Sequence, residues 1–68
     1  MNYYEWSQEY VQSANQLGNF IHKLKEQRKS ASVSQKKELD DKIAYYRTCY
    51  HECMDTANLL MQRYEGVA

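Results

Sequence analysis

Apolar side chains recur at alternating steps of four and three residues through the second half of the chain. This spacing places them along one side of an α-helix, as in a coiled coil. A looser stripe runs through the first half, and only polar and small residues separate the two. The pattern therefore predicts two long helices joined by one turn. The second-half stripe is Leu39, Ile43, Tyr46, Tyr50, Cys53, Ala57, Leu60 and Tyr64, and the first-half stripe is Tyr3, Trp6, Tyr10, Ala14, Leu17, Ile21 and Leu24.

Capping chemistry predicts where the helices begin and end. Asn2 can accept a backbone hydrogen bond while Glu5 reaches back, so the first helix is expected to start at about residue 3. Ser32 with Gln35 forms a second capping box, and Ser34 is an alternative N-cap. Gly66 is expected to serve as the C-cap of the second helix. We predict a single domain, 1–68, with a helix over about 3–29, a turn over about 30–34 and a helix over about 35–65.

Folding the chain back at the turn sets large residues against small ones, as close packing of two helices requires. Gly18 then lies opposite tyrosine rings, which suggests that it leaves room for them. The predicted neighbours are Leu24 with Leu39, Ile21 with Ile43, Gly18 and Leu17 with Tyr46, Ala14 with Tyr50, Tyr10 with Cys53, and Trp6 with Ala57.

A hairpin of two helices buries one seam, yet further apolar residues border both stripes and widen the apolar face: Val11, Phe20, Tyr45, Cys49, Met54 and Met61. A helix pair of this length rarely supplies enough stability by itself. The fold class predicted is therefore all-α: a coiled-coil-like antiparallel hairpin that dimerises into a four-helix bundle. The alternative is a foreign helical surface that covers the same face. The predicted self-association seam is Trp6, Tyr10, Leu17, Ile21, Leu24, Leu39, Ile43, Tyr46, Tyr50, Cys53, Ala57 and Leu60.

The zero net charge conceals a basic turn region and acidic ends. Two hairpins packed antiparallel would set each basic tip near the acidic end of the other, which favours that orientation. The alternative function is a small nucleic-acid-binding regulator that uses the tip and the polar face of the first helix. A pI near 6.7 and the lack of a sustained basic face argue against it. The cations that would contact an anion or nucleic acid are Lys23, Lys25, Arg28, Lys29, Lys36 and Lys37, with Asn15, Gln16, Asn19 and Gln27 on the polar face.

No catalytic, cofactor or small-molecule signature stands out, so we expect a non-enzymatic interaction or regulatory protein without a cofactor. Cys49 and Cys53 share a helix face, but His51 and Asp55 point away from it, so no metal site is expected. Without an apolar run or signal peptide, we expect a cytoplasmic protein with reduced thiols and no membrane partner. If a heterologous protein binds, we expect it at an aromatic and methionine cluster near the open end. That cluster is Tyr3, Tyr4, Met61 and Tyr64. The favoured alternative is that Trp6 and Tyr3 only close this end of the bundle against Leu60 and Ala57.

Overall fold

The structure is a computed structural model that describes residues 2–67, with side chains described for 2–66. The predicted domain reaches one residue further at each end, to Met1 and Ala68, which lie outside the described range. Within that range the chain forms two helices, α1 (Tyr3–Lys29) and α2 (Val33–Val67), which pack against each other along their length. The hairpin measures 53 × 14 × 13 Å. The predicted all-α helical hairpin is confirmed.

Side-chain caps start both helices. Asn2 Oδ1 accepts a hydrogen bond from the Glu5 backbone N–H at 2.8 Å. At the turn, the Gln35 N–H donates to Ser32 Oγ at 3.4 Å, and the Ser32 N–H donates to Gln35 Oε1 at 3.1 Å. This reciprocal box makes Ser32 the cap, so α2 begins at Val33, two residues before the predicted start at residue 35.

The predicted C-cap role of Gly66 is wrong. Gly66 lies inside α2, and none of the described glycines has a positive φ. A left-handed glycine is favoured where the chain must leave the helix, but glycine also accepts helical dihedrals. Here α2 keeps its hydrogen-bonded geometry past this residue.

A small apolar core fills the seam between α1 and α2. Ile21, Leu24 and Ile43 form its centre, and Leu39, Tyr46 and Tyr50 pack around them. Towards the open end the buried apolar residues become smaller, and two of the three are alanines: Ala14, Ala57 and Leu60. Burying so little apolar surface gives the single hairpin little stability to spare.

Trp6 does not take the seam position that was predicted for it. It is 45% exposed, whereas Ser7 beside it is fully buried. Ser7 keeps the alternation of three- and four-residue steps between Tyr3 and Tyr10. Its Oγ donates to the Tyr4 carbonyl at 2.6 Å, so the buried hydroxyl has a partner. Apolar size favoured Trp6 in the prediction, but the small, satisfied side chain fits the seam.

The register of the two helices differs from the predicted one by about one turn. A Cβ on Gly18 would lie 3.8 Å from the Tyr50 ring, whereas Ala14 was the predicted neighbour of Tyr50. The turn is short, so α2 begins beyond the end of α1 and leaves Val33 almost fully exposed. Three further contacts agree with this register: Phe20 with Tyr46, Tyr4 with Tyr64, and Arg28 with Asp40.

Candidate self-association surface

The seam is bordered by two flanks, one on each side of the hairpin. Residues at seven-residue spacing lie in one row along a helix, so the packed flank combines one row from α1 with one from α2, and the open flank combines neighbouring rows from both helices. We define the packed flank as Tyr4, Val11, Gly18, Arg47, Met54 and Met61. We define the open flank as Trp6, Glu9, Ser13, Phe20, Lys23, Tyr45, Cys49, Glu52 and Leu59.

Contacts within the chain cover part of the packed flank. Tyr50 covers Gly18, and the rings of Tyr4 and Tyr64 meet with their centroids 5.8 Å apart. The aliphatic members of this flank, Val11, Met54 and Met61, are half-buried. The apolar residues that were predicted to widen a single face are therefore divided between two sides of the hairpin.

The open flank keeps large apolar side chains in solvent. Four of them, spread over both helices, are between 43% and 65% exposed: Trp6, Phe20, Tyr45 and Leu59. Leu59 was not singled out in the sequence, although its spacing of two heptads from Tyr45 was visible there. Apolar residues grouped along one side of a small protein are typical of an interaction surface.

An aromatic cluster lies on the tip-side half of the open flank. Phe20 meets Tyr46 edge-on with centroids 4.9 Å apart, and Tyr45 meets Tyr46 edge-on at 5.3 Å. The charge of an ionised Cys49, together with the hydrogen bond between the two side chains, raises the pKa of Tyr45. The shift disfavours ionisation of the Tyr45 phenol.

A shallow hollow lies on the open-end half of the same flank. It is lined by Trp6, Glu9, Tyr10 and Ser13 on α1. One wall is aromatic and one is a carboxylate, while Ser13 is too small to fill the space. The hollow suits an apolar ring accompanied by a cation.

Local ion pairs neutralise part of the basic tip. Arg28 Nε donates to Asp40 at 2.6 Å, and this bond together with the Asp40 charge raises the pKa of Arg28. Lys29 pairs with Glu26 at 3.1 Å. Among the other predicted anion contacts, Lys36 is half-buried, and those on exposed positions are Lys23, Lys25 and Lys37. The pairing lowers the positive potential on which the nucleic-acid prediction depends, and that prediction stays untested.

The predicted self-association seam lies mostly between the two helices of one chain. Its buried members are Ile21, Leu24, Ile43, Ala57 and Leu60, its half-buried members are Tyr10, Leu17, Leu39, Tyr46, Tyr50 and Cys53, and Trp6 is exposed. A second copy would therefore meet the hairpin mainly through other residues. The predicted partner surface at the open end is only partly exposed. Tyr3 and Met61 are half-buried, whereas Tyr4 and Tyr64 are exposed and their rings contact each other.

Metal-ligating side chains do not gather in the described part of the chain. No three His, Cys, Asp or Glu residues within it are placed to hold one metal ion. Cys49 and Cys53 are free and half-buried. Cys49 lies on the open flank beside Tyr45, so it contributes a small, weakly polar side chain to that surface.

No known protein family, curated protein or solved structure matches the chain. Neither described helix combines the length and the hydropathy that a membrane crossing requires. Inference about function therefore depends on the surface of the hairpin itself, where the open flank carries four of the seven large hydrophobic side chains exposed in the described residues.

Proposed function

We propose that the protein is a non-enzymatic interaction module that works as a homodimer, with two hairpins packed into a four-helix bundle. The observation that carries the proposal is the open flank, on which Trp6, Phe20, Tyr45 and Leu59 stand exposed along both helices. A second copy offers the same flank, and self-complementary patches of this kind form two-fold dimers.

The size of the hairpin supports this proposal. One face of 53 by 14 Å has roughly the extent needed to bury the ~800 Å² per partner that stable interfaces use. Covering that face would also add apolar burial to a core that contains few large side chains. A cytoplasmic location with reduced thiols belongs to the same proposal, since Cys49 and Cys53 lie four residues apart on α2, where a disulfide between them would distort the helix.

Molar mass in solution tests the proposal. Light scattering on the reduced protein should give twice 8.1 kDa at tens of micromolar. Phe20→Ser combined with Tyr45→Ser should give a monomer that keeps its helical circular dichroism. Tyr4→Ser is the matched control, because Tyr4 has similar exposure, at 46%, but lies on the packed flank, so its dimer should persist.

The opposite results would contradict the proposal. A wild-type chain that stays monomeric and helical at these concentrations would leave the open flank for a foreign protein. Loss of the dimer in Tyr4→Ser, with retention in the double variant, would place self-association on the packed flank instead.

A further inference from the structure

Two pairs of residues on the open flank have the same spacing. Glu9 and Lys23 on α1 are two heptads apart and carry opposite charges. Tyr45 and Leu59 on α2 are also two heptads apart, and both are exposed and apolar. If a second copy of the same helix ran antiparallel across the flank, each member of a pair would therefore lie opposite the other member in the second copy.

The midpoints of these pairs lie at the same height in the hairpin. Gln16 is midway between the charged pair, and Glu52 is midway between the apolar pair. Gly18 contacts Tyr50, and two residues further along each helix, in opposite chain directions, Gln16 comes level with Glu52. One axis across the flank can therefore serve both helices at once.

Charge along the hairpin favours the same arrangement. Residues 23–42, which include the tip, carry seven lysines and arginines against four carboxylates, and the rest of the chain carries two against five. Hairpins with their tips together would bring like charge to like charge. Hairpins with their tips at opposite ends bring each basic end to an acidic one.

Building on the proposed homodimer, we infer that two copies meet open flank to open flank with their tips at opposite ends. The two-fold axis passes through the level of Gln16 and Glu52. It sets Tyr45 against the partner's Leu59 and Lys23 against the partner's Glu9.

The hollow on α1 provides a third complementary contact between the two copies. The axis brings Phe20 of one copy to within one residue of the level of the partner's Ser13, where the hollow is open. A ring then fills a space that a small side chain leaves, and Lys23 follows it towards the Glu9 wall. Large residues again face small ones, as close packing requires.

The same axis also brings like charges together. The two copies of Glu52 approach each other near the axis, and Lys42 comes level with the partner's Arg63. These repulsions oppose the apolar contacts, so the affinity expected is micromolar rather than nanomolar. They also make the inference easier to test, because removing one of them should tighten the dimer.

The distance between tips distinguishes the orientations. Val33, which is 87% exposed and packs against little, can be replaced by Cys in a Cys49→Ala, Cys53→Ala background and spin-labelled. Val33 is 19 residues from Glu52. At about 1.5 Å per residue, tips at opposite ends place the labels more than about 50 Å apart. Tips together place them within about 25 Å, since neighbouring helices are about 10 Å apart.

Light scattering on the same labelled sample separates two kinds of failure. A dimer with the long distance supports the inference. A dimer with the short distance overturns the orientation and leaves the proposed homodimer standing. A monomer overturns the homodimer and, with it, this inference.

Charge exchange tests the paired residues directly. Lys23→Glu and Glu9→Lys should each weaken the dimer about tenfold, because each turns two attractions per dimer into repulsions, and the double exchange should restore most of the affinity. Lys25→Glu is the matched control, since it makes the same charge change on the other side of α1 and should alter affinity by less than about threefold. Equal weakening by both lysine variants, without rescue by the double exchange, would overturn the pairing.

Removing the charge of Glu52, the residue at the axis, should strengthen the dimer rather than weaken it. Glu52→Gln should tighten the dimer by about threefold, because two carboxylates no longer face each other. With tips together, each Glu52 faces the polar side of α1 instead, and the substitution should not tighten the dimer. Sedimentation equilibrium on the two proteins decides between these results, and unchanged or weaker association in Glu52→Gln would contradict the axis.

Discussion

The packed and open flanks contain similar kinds of residues but differ in what covers them. Midway along the packed flank, α1 presents Gly18, and the Tyr50 ring from α2 lies over it. Two residues further along α1, the open flank presents Phe20, which stands 43% exposed against the edge of Tyr46. The comparison shows that the partner helix covers the glycine position, whereas the phenylalanine ring on the other side stays partly exposed beside Tyr46.

The largest effect is expected in the seam that holds both flanks in place. Ile43 is buried at the centre of the core. Ile43→Ala should lower the free energy of unfolding by about 2–4 kcal/mol, through lost burial and the cavity left behind. Urea unfolding followed by circular dichroism measures it. Leu59→Ala, on the open flank, should cost a dilute monomer under about 1 kcal/mol. Equal costs for the two variants would contradict the placement of the core.

Substituting one tyrosine on each side of the hairpin compares the two flanks directly. The ring of Tyr64 meets that of Tyr4 at a tilt of 50° beside the packed flank, and Tyr45 contacts Tyr46 on the open flank. Tyr64→Ala should reduce hairpin stability by about 0.5–1.5 kcal/mol without changing the molar mass. Tyr45→Ala should raise the dimer dissociation constant about tenfold and change dilute-monomer unfolding less. Unfolding and light scattering on both variants measure these effects. If Tyr64→Ala weakened the dimer while Tyr45→Ala mainly destabilised the hairpin, the roles given to the two flanks would be wrong.

Replacing Gly18 should increase the stability of the hairpin rather than reduce it. A Cβ there would meet the Tyr50 ring at 3.8 Å, which is an ordinary contact distance, so room for the ring does not require glycine. Gly18→Ala should stabilise the hairpin by about 0.5–1 kcal/mol, because alanine loses less backbone entropy in a helix. Thermal unfolding measures the gain. Gly66→Ala, near the end of α2 with nothing within 4 Å, should gain less. Destabilisation by Gly18→Ala would mean that the packed flank is tighter than described.

The smallest expected effect is a shift in titration on the open flank. Cys49 raises the pKa of Tyr45 by its charge and by a hydrogen bond. Cys49→Ala should therefore move the pKa of Tyr45 down towards its ordinary value, as read by ultraviolet absorbance of the phenolate. Because folding raises this pKa, the stabilisation linked to it is complete below the ordinary tyrosine pKa and is lost as the pH rises through the folded value. An unchanged titration curve would contradict the contact between the two side chains.

The helices and most of the seam could be predicted because they depend on spacing along one chain. Three- and four-residue steps identify the seam side of a helix regardless of where the other helix lies. Caps such as Ser32 are predicted from the residues next to them in the sequence. The position of Trp6 was misjudged because apolar size was given more weight than the regular steps, which Ser7 preserves.

The register of the two helices depends on the turn, which the sequence describes less well. In the structure α2 begins at Val33, and Tyr50 lies beside Gly18 rather than Ala14. The two flanks, in contrast, follow from heptad spacing, and they were missed because every bordering apolar residue was assigned to one face. The proposed common axis of the Glu9–Lys23 and Tyr45–Leu59 pairs could not be derived before that register was known. Spacing within a helix could indicate these residues, but only the contact between helices places them at one height.

Sedimentation equilibrium of the reduced wild-type chain tests the central claim most directly, over about 1 to 200 μM, which spans the expected micromolar dissociation constant. The open flank predicts a mass that rises from 8.1 kDa to twice that value and fits a single monomer–dimer equilibrium. A mass that stays at 8.1 kDa across the range, with helical circular dichroism retained, would contradict it.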